Sequence, residues 1–544
     1  MVKTSPWRQS KRGQQRRESC TPRSGRARSS SSLTSSRRRT RCCLLLPELR
    51  SRPSFASYHS RGGFGQVTLL DQLDQIDVKR VVETYKLTMD AGTGGSVPSR
   101  PDPLERVDKL FQASNSDRLA WQNRGLSMID SGAVAFLLLA GGQGTRLGTS
   151  DPKGCFDIGL PSHKSLFQLM AERLRRVAEL SKGVSASAGD KRRLSLGEKR
   201  SVPWYIMTSP QTDEATQSFF KKHAFFGLQE KDVFFFQQGT LPCLSVEGHI
   251  LLETPCTVTS APDGNGGIYR CTPCPVAPLF YYCLSPAHSH LIAYHGRTHR
   301  ALEKSGALSD MRKRGVEVVH CSSVDNALVL AADPLFIGYC VEMGADCGAK
   351  VCAKARAEEA VGVLCAAEQG GAKVVEYSEL EASAAKEIDA ATGELRLNAG
   401  NICNHFYTVD FLQAAATVPT PFHVAKKKIP CVDDSGATVS PAANNGIKLE
   451  MFIFDCFPHS TKFACAEVLR EHEFGPVKNA PGSDVDSPDT ARALLLELGR
   501  QRALAVGAAI SGEGGIEISP LLSYSGEGLE KLKDTTLEAL SHVE

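Results

Sequence analysis

Residues Leu139 to Gly154 read LAGGQGTRLGTSDPKG and set the glycines Gly141, Gly142, Gly144 and Gly148 beside a guanidinium, Arg146, and an ammonium, Lys153. Glycines let the backbone come close to a ligand and expose its N–H groups. Phosphate oxygens suit such a cradle, and two cations could grip a polyphosphate. Pro152 stiffens the approach to Lys153. A Walker A loop is excluded, because the chain has no Gly-Lys dipeptide. A dinucleotide fingerprint is excluded too, since Leu147 stands where the third glycine belongs. Further along, Asp263-Gly-Asn-Gly-Gly has the composition of a turn. Taken by itself, Asp325 at a strand end could cap the next element, and Lys448 could be a solvated surface lysine. Glu376 follows a buried-looking strand, where an unpaired acid would be costly, so it calls for a partner. Lys427 and Lys428 read as a solvated face.

Positioning such groups takes a sheet. AVAFLLLA, Ala133 to Ala140, is an unbroken apolar run of strand length, as expected of a strand buried on both faces. Ser165 should cap an amphipathic helix read over Ser165 to Ser181. WYIMTS, DVFFFQQ, VEVVH, ALVLAA and KVVEYSE read as further strands, and their alternation with helices argues for a mostly parallel sheet covered on both sides. Residues 68–130 read as helical, broken by a linker from Ala91 to Pro103. A last helix is expected from Asp489 to Arg502.

The length of 544 residues allows several domains and a large core. Residues 1–62 carry a net charge of +14 and the rest −10. A mildly acidic body does not suit nucleic acid, and no apolar run is long enough to span a membrane. The 18 cysteines are scattered, which reads as reduced thiols in a cytoplasmic protein.

The glycine loop resembles that of the eukaryotic UDP-N-acetylhexosamine pyrophosphorylases, within the nucleotide-sugar uridylyltransferases (UDPGP type 1). The resemblance recurs in FFQQG, APDGNGG, VDN, FIGYCVEMGADCGAKV, VVEYSE, NAGNICNHF, KKIPCVD, NGIKLEMFIFD and VLREHEFGPVKNA. It covers roughly residues 115–530 and implies an α/β fold of the nucleotide-diphospho-sugar transferase type. Such a fold has a Rossmann-like, doubly wound mixed sheet, an N-terminal helical arm and a small C-terminal α/β domain. It implies UTP contacts at Leu139, Ala140, Gly141, Gly142, Lys153, Gln238, Gly264, Asp325 and Lys448. It implies sugar contacts at Asn265, Gly362, Glu376, Tyr377, Asn401 and Lys478. Arg146, Lys153 and Lys448 become the catalytic cations, with Asp325 holding Mg²⁺ (or Mn²⁺). UTP and an N-acetylhexosamine 1-phosphate would give a UDP-sugar and pyrophosphate, in a monomer or homodimer. The alternatives are a UDP-glucose-type enzyme and a non-catalytic UDP-sugar-binding paralogue.

The expected divisions are a disordered Arg/Ser-rich extension over 1–62, a helical region over 63–130, a catalytic domain over 131–483 and a small, truncated or rearranged domain over 484–544. Residues 1–62 also resemble a transit peptide. Residues 271–299 look inserted into the family pattern, either as a surface loop or through a gene-model error. Their Cys271, Cys274, His295 and His299 mimic a zinc site, but the gap of twenty residues between the pairs exceeds that of a finger.

Overall fold

Val134 to Leu139 form a strand whose six residues are all buried. Strand geometry sends alternate side chains to opposite faces. Val134, Phe136 and Leu138 accordingly join one core, with the helices Leu166–Leu180 and Pro334–Glu342. Ala135, Leu137 and Leu139 join the other, with Ala307–Arg314 and Val409–Ala415. The computed structural model describes residues 78–93, 100–182, 201–269 and 301–544 except 369, 419 and 434, together with 69, 72, 73, 76 and 184. The chain divides into Met1–Ser60 and Arg61–Glu544, and every described residue lies in the second unit. The extension 1–62, the stretch 271–299 with its Cys and His pairs, and most of 182–201 fall outside the described residues.

The central sheet contains β1 (Asp108–Lys109), β2 (Val134–Leu139), β3 (Trp204–Thr208), β4 (Val233–Gln237), β5 (Val318–Ser323), β6 (Cys347–Ala353), β7 (Ala399–Thr408) and β8 (Phe463–Glu467). Their spatial order is β1-β8-β6-β7-β5-β2-β3-β4. Among these eight, only β7 runs antiparallel to its neighbours. The hairpin of Val363–Ala366 and Ala372–Val375 attaches to β7 where Val363 faces Gly400. The chain moves outward from β2 to β3 and β4, then returns to place β5 on the other side of β2. That reversal opens a crevice beyond the carboxyl ends of β2 and β5, the position where open α/β sheets bind ligands.

Ser165 caps the helix as expected, its side chain accepting from the Gln168 N–H, a cap worth about 1 kcal/mol. Asn115–Asp130, in the N-terminal helical region, packs on the central domain as expected. It crosses Pro334–Glu342 so closely that a Cβ at Gly125 or Gly338 would overlap the Pro334 or Trp121 carbonyl. The last long helix, Pro488–Ala505, leads into two pairs of short parallel strands, Ala509–Ser511 with Thr536–Glu538 and Glu517–Ile518 with His542–Val543. Glu517 fixes this part to the loop before Leu166, accepting from the Ser162 N–H at 2.8 Å and its hydroxyl at 2.6 Å. Among the described residues, no helix is long and apolar enough to cross a membrane.

Three expectations need correction. The first helix continues through Thr93, so the linker cannot begin at Ala91. Leu104 to Asn115 is not a helix: Asp108 and Lys109 pair with Ala466 and Glu467 at the sheet edge, and a short 3₁₀ turn follows. ALVLAA, Ala327 to Ala332, is a buried loop and not a strand. Its carbonyls are met from outside the sheet, because the Arg173 guanidinium donates to Ala327 O at 2.8 Å and Val329 O at 3.0 Å.

Candidate active site

The glycine loop leaves β2 at the sheet's reversal point. Its start is pinned where the Ala140 N–H donates to Met207 O at 2.8 Å. The loop then folds on itself: the Gly144 N–H donates to Asp151 O at 2.9 Å and the Lys153 N–H to Gly142 O at 3.2 Å. Between these bonds a 3₁₀ turn, Thr145–Leu147, exposes Arg146 and closes on Gly148 at φ 83°, a left-handed conformation that suits glycine. A second glycine turn faces the loop. Gly264 has φ 89°, and a Cβ there would overlap the Met451 backbone. The Met451 N–H donates to Asp263 O at 2.9 Å, so this turn is laced to the end of the strand Gly446–Glu450.

Between them lies a cavity of about 370 Å³. Its lining contains Leu139, Gly141, Gly142, Lys153, Gln238, Gly264, Asn265, Asp325 and Lys448, all of them expected binding residues. Met207, Ala261, Pro262, Ser323, Val324 and Glu450 complete the wall and were not foreseen. Glu450 was the most legible of these, since it stands two residues from Lys448 on one strand and so shares its face. Ala140 is buried behind the cavity and is not part of its wall.

The cations are poised for an anion. Desolvation lowers the Lys153 ammonium from its ordinary value, Asp325 opposes this, and the charges of Lys478 and Arg146 lower it further. Among the described residues, none of Arg146, Lys153, Lys448 and Lys478 makes a side-chain ion pair. Mutually repelling cations without ion-pair partners are stabilised by a polyphosphate. Gln238 is buried against Gly141, and a Cβ at position 141 would stand 2.7 Å from its Nε2. Gly141→Ala should therefore push the amide aside while leaving the fold intact. The expected result is nucleotide affinity about tenfold weaker by calorimetry with an unchanged unfolding temperature. Gly142 differs, since a Cβ there would meet nothing within 4 Å.

Gly362, Glu376, Asn401, Tyr377, Lys478 and the expected catalytic Arg146 do not line this cavity. The first three form an adjoining group. The Asn401 N–H donates to Gly362 O at 2.8 Å, and a Cβ on Gly362 would meet Glu376 Oε1 at 2.7 Å. A β-bulge in β7 opposite Lys350 and Val351 shapes the group, with Cys403 at φ 52°. Asn401 Oδ1 accepts from the Cys403 N–H at 3.1 Å, which leaves its NH₂ as a donor. Asn265 repeats the pattern, its Oδ1 accepting from the Ile453 N–H at 2.9 Å. Desolvation raises the Glu376 carboxyl, Glu379 adds to the rise, and His423 and Lys478 oppose it. Tyr377 stays 53% exposed. The two groups adjoin through Cys403, whose thiol burial pushes up to about 12 within electrostatic reach of Asp325, Lys478 and Glu376. Lys427 and Lys428 are exposed.

The sequence profile of UTP–glucose-1-phosphate uridylyltransferases matches residues 105–273 and 289–496. The unmatched residues between them fall inside the stretch 271–299. The human UDP-N-acetylhexosamine pyrophosphorylase-like protein 1 is 45% identical over 452 residues, covering 79% of this chain and 81% of that protein. UDP-N-acetylglucosamine diphosphorylase 2 of Arabidopsis thaliana is 41% identical over 473 residues, with 85% and 86% covered. The crystal structure of the Trypanosoma brucei uridine diphosphate N-acetylglucosamine pyrophosphorylase with an inhibitor superposes with a TM-score of 0.70 at 30% identity, covering 92% of this chain and 98% of that one. A profile match over most of the chain, together with relatives at 41% and 45% identity that cover about four fifths of it, means that the chain belongs to the UTP–glucose-1-phosphate uridylyltransferase family, among its UDP-N-acetylhexosamine pyrophosphorylases.

Proposed function

We propose that this protein transfers the uridylyl group of UTP to an N-acetylhexosamine 1-phosphate, releasing pyrophosphate and a UDP-N-acetylhexosamine. The observation that carries this reading is the single cavity that collects the loop glycines, Lys153, Gln238, Gly264, Asp325 and Lys448 from separate segments of the chain. An oxygen of the sugar phosphate attacks the α-phosphorus in line. The bond from that phosphorus to the bridging oxygen breaks, and pyrophosphate leaves with the electron pair. The nucleophile is already an anion, so no base is required. The barrier is bringing anions together, which calls for positioning and charge neutralisation. Arg146 and Lys153 serve the leaving pyrophosphate, and Lys448 serves the α-phosphate or the incoming phosphate. Gln238 has an amide that can both donate to and accept from uracil. On the sugar side, Glu376 accepts from hydroxyls and the Asn401 NH₂ meets the acetamide.

Asp325 fits a hard cation, Mg²⁺ (or Mn²⁺). Its side chain makes no ion pair or hydrogen bond among the described residues, and Mg²⁺ is commonly held by one carboxylate plus substrate phosphates. No cluster of three His, Cys, Asp or Glu side chains able to hold a metal occurs among the described residues, so the cation would be held jointly by Asp325 and the nucleotide. When bound, it would neutralise phosphate charge. Cysteines used as core residues (Cys321, Cys347, Cys352 and Cys465, all buried) support a reducing compartment such as the cytoplasm.

The test is pyrophosphate release from UTP with a panel of sugar 1-phosphates. Turnover is expected with the 1-phosphates of N-acetylglucosamine or N-acetylgalactosamine, at a kcat/KM at least about tenfold above that with glucose 1-phosphate. A preference for glucose 1-phosphate would move the protein to the UDP-glucose-type reading. Stabilisation by the UDP-sugar without any turnover would make it a binding paralogue.

A further inference from the structure

His423 lies outside every group described so far, yet three elements of the site meet at its ring. It opens the strand His423–Lys427, which runs antiparallel to Gly446–Glu450, with His423 opposite Glu450 and Ala425 opposite Lys448. Its Nδ1 lies 3.2 Å from Glu379 Oε1, and its Nε2 lies 3.0 Å from Asp455 Oδ1. The ring packs on Phe452, with centroids 4.3 Å apart. Each carboxylate in turn anchors a part of the site. Glu379 belongs to the turn that carries Glu376, and its N–H donates to Glu376 O at 2.9 Å. Asp455 Oδ2 accepts from the Phe452 N–H at 2.8 Å, and the next N–H, that of Ile453, holds Asn265.

Resting on the uridylyltransferase reading above, we infer that His423 is a positioning residue whose side chain ties the Glu376 turn to the Phe452–Asp455 segment, so that its loss loosens the sugar phosphate and, with the backbone pairing of the Lys448 strand intact, spares UTP. Both of its nitrogens face carboxylates, an arrangement that only a doubly protonated ring satisfies with two donors. Burial alone would lower the imidazole, but the hydrogen bonds and charges of Asp455 and Glu379 outweigh it and raise its pKa from 6.5 to about 9. The reciprocal effect lowers the Glu379 carboxyl, chiefly through its hydrogen bond to His423. The charged groups around the ring are Glu379 and Glu376 from the turn, Asp455 from the segment after Met451 and Glu450 from the paired strand, with Lys478 acting electrostatically on Glu376. A neutral ring leaves this acidic group without its central cation. The clamp's contribution is therefore complete below the ring's unfolded pKa of about 6.5 and is lost as pH rises through about 9.

The experiment compares wild type, His423→Gln and His423→Arg by initial-rate kinetics from about pH 7 to 10, with calorimetric UTP binding and thermal unfolding as controls. His423→Gln should raise KM for the hexosamine 1-phosphate about tenfold, with kcat and UTP affinity within about threefold of wild type. In wild type that KM should climb above about pH 8.5, whereas in His423→Gln it should be flat. His423→Arg, with a charge that does not titrate, should recover part of the affinity and lose the alkaline rise. Equal losses for both substrates accompanied by a lower unfolding temperature would reduce His423 to a structural residue and overturn the inference. An unchanged KM, or a variant that keeps the wild-type pH profile, would also overturn it. Failure of the uridylyltransferase reading itself would be separate and visible, because wild type would then release no pyrophosphate.

Discussion

Arg146→Ala should lower kcat about 10²–10³-fold while KM for UTP changes by no more than about threefold. Arg146 is exposed on the 3₁₀ turn Thr145–Leu147, and among the described residues its side chain makes no hydrogen bond or ion pair. Truncation should therefore leave the unfolding temperature where it was. On the proposed mechanism, Lys153, Lys448 and the loop N–H groups would already hold the triphosphate in the resting complex. The charge that grows during reaction is on the departing pyrophosphate, and a group that meets it only then affects kcat and not binding. Arg146→Lys keeps the charge but loses the planar fork, so it should fall between the two. Initial rates of pyrophosphate release across a range of UTP concentrations decide the matter. A wild-type kcat in Arg146→Ala would remove the residue from the mechanism.

The place of the glycine loop was legible because its signals are local. Glycines, an arginine and a lysine follow a strand whose burial on both faces shows in an unbroken apolar run, and the structure puts that strand at the sheet's reversal point. Ser165 could likewise be read as a cap from its position before an amphipathic helix. The misreadings share one cause, that an apolar pattern does not say who satisfies the backbone. Ala327 to Ala332 has strand composition, yet its carbonyls are taken by Arg173, more than a hundred residues earlier in the chain. Leu104 to Asn115 has helical spacing, yet Asp108 and Lys109 are claimed by the edge strand at Ala466 and Glu467. The bulge that turns Asn401 and Cys403 out of register leaves no mark in composition. Nor does the clamp at His423, whose two carboxylates come from segments on either side of it in the chain. Glu450 was readable by strand alternation from Lys448 and was passed over.

Removing the charge of Lys350 should be among the most damaging single changes to stability. Its side chain in β6 is fully buried, and its ammonium meets Asp333 Oδ2 at 2.5 Å together with the Glu473 carboxylate. Burial would lower the ammonium, but the two acids raise it well above 10.5. Desolvation raises the Glu473 carboxyl, and Lys350 opposes that rise. Breaking such a group by deleting one partner costs about 3–5 kcal/mol, because uncompensated charge stays buried. Lys350→Met should show that loss near pH 7.5 by chemical denaturation. Glu473 then has a carboxyl pKa raised still further, so protonation relieves the strain early, and the deficit against wild type should shrink as pH falls toward about 5. Lys350→Met with Glu473→Gln should recover part of the loss even if the single variant barely folds, and a double-mutant cycle measures the coupling. The damage should also reach the site. Asn326 Nδ2 donates to Glu473 O at 2.7 Å, its Oδ1 accepts from the Gly475 N–H at 3.0 Å, and the Val477 N–H donates to Asp325 O at 2.8 Å. The segment held by the buried triad thus sets both Asp325 and the neighbouring Lys478. Where Lys350→Met remains folded, kcat should fall with stability, and the coupling partner Glu473→Gln should restore both. Restoration of stability alone would show that Asp325 is held by the strand end and not by the triad.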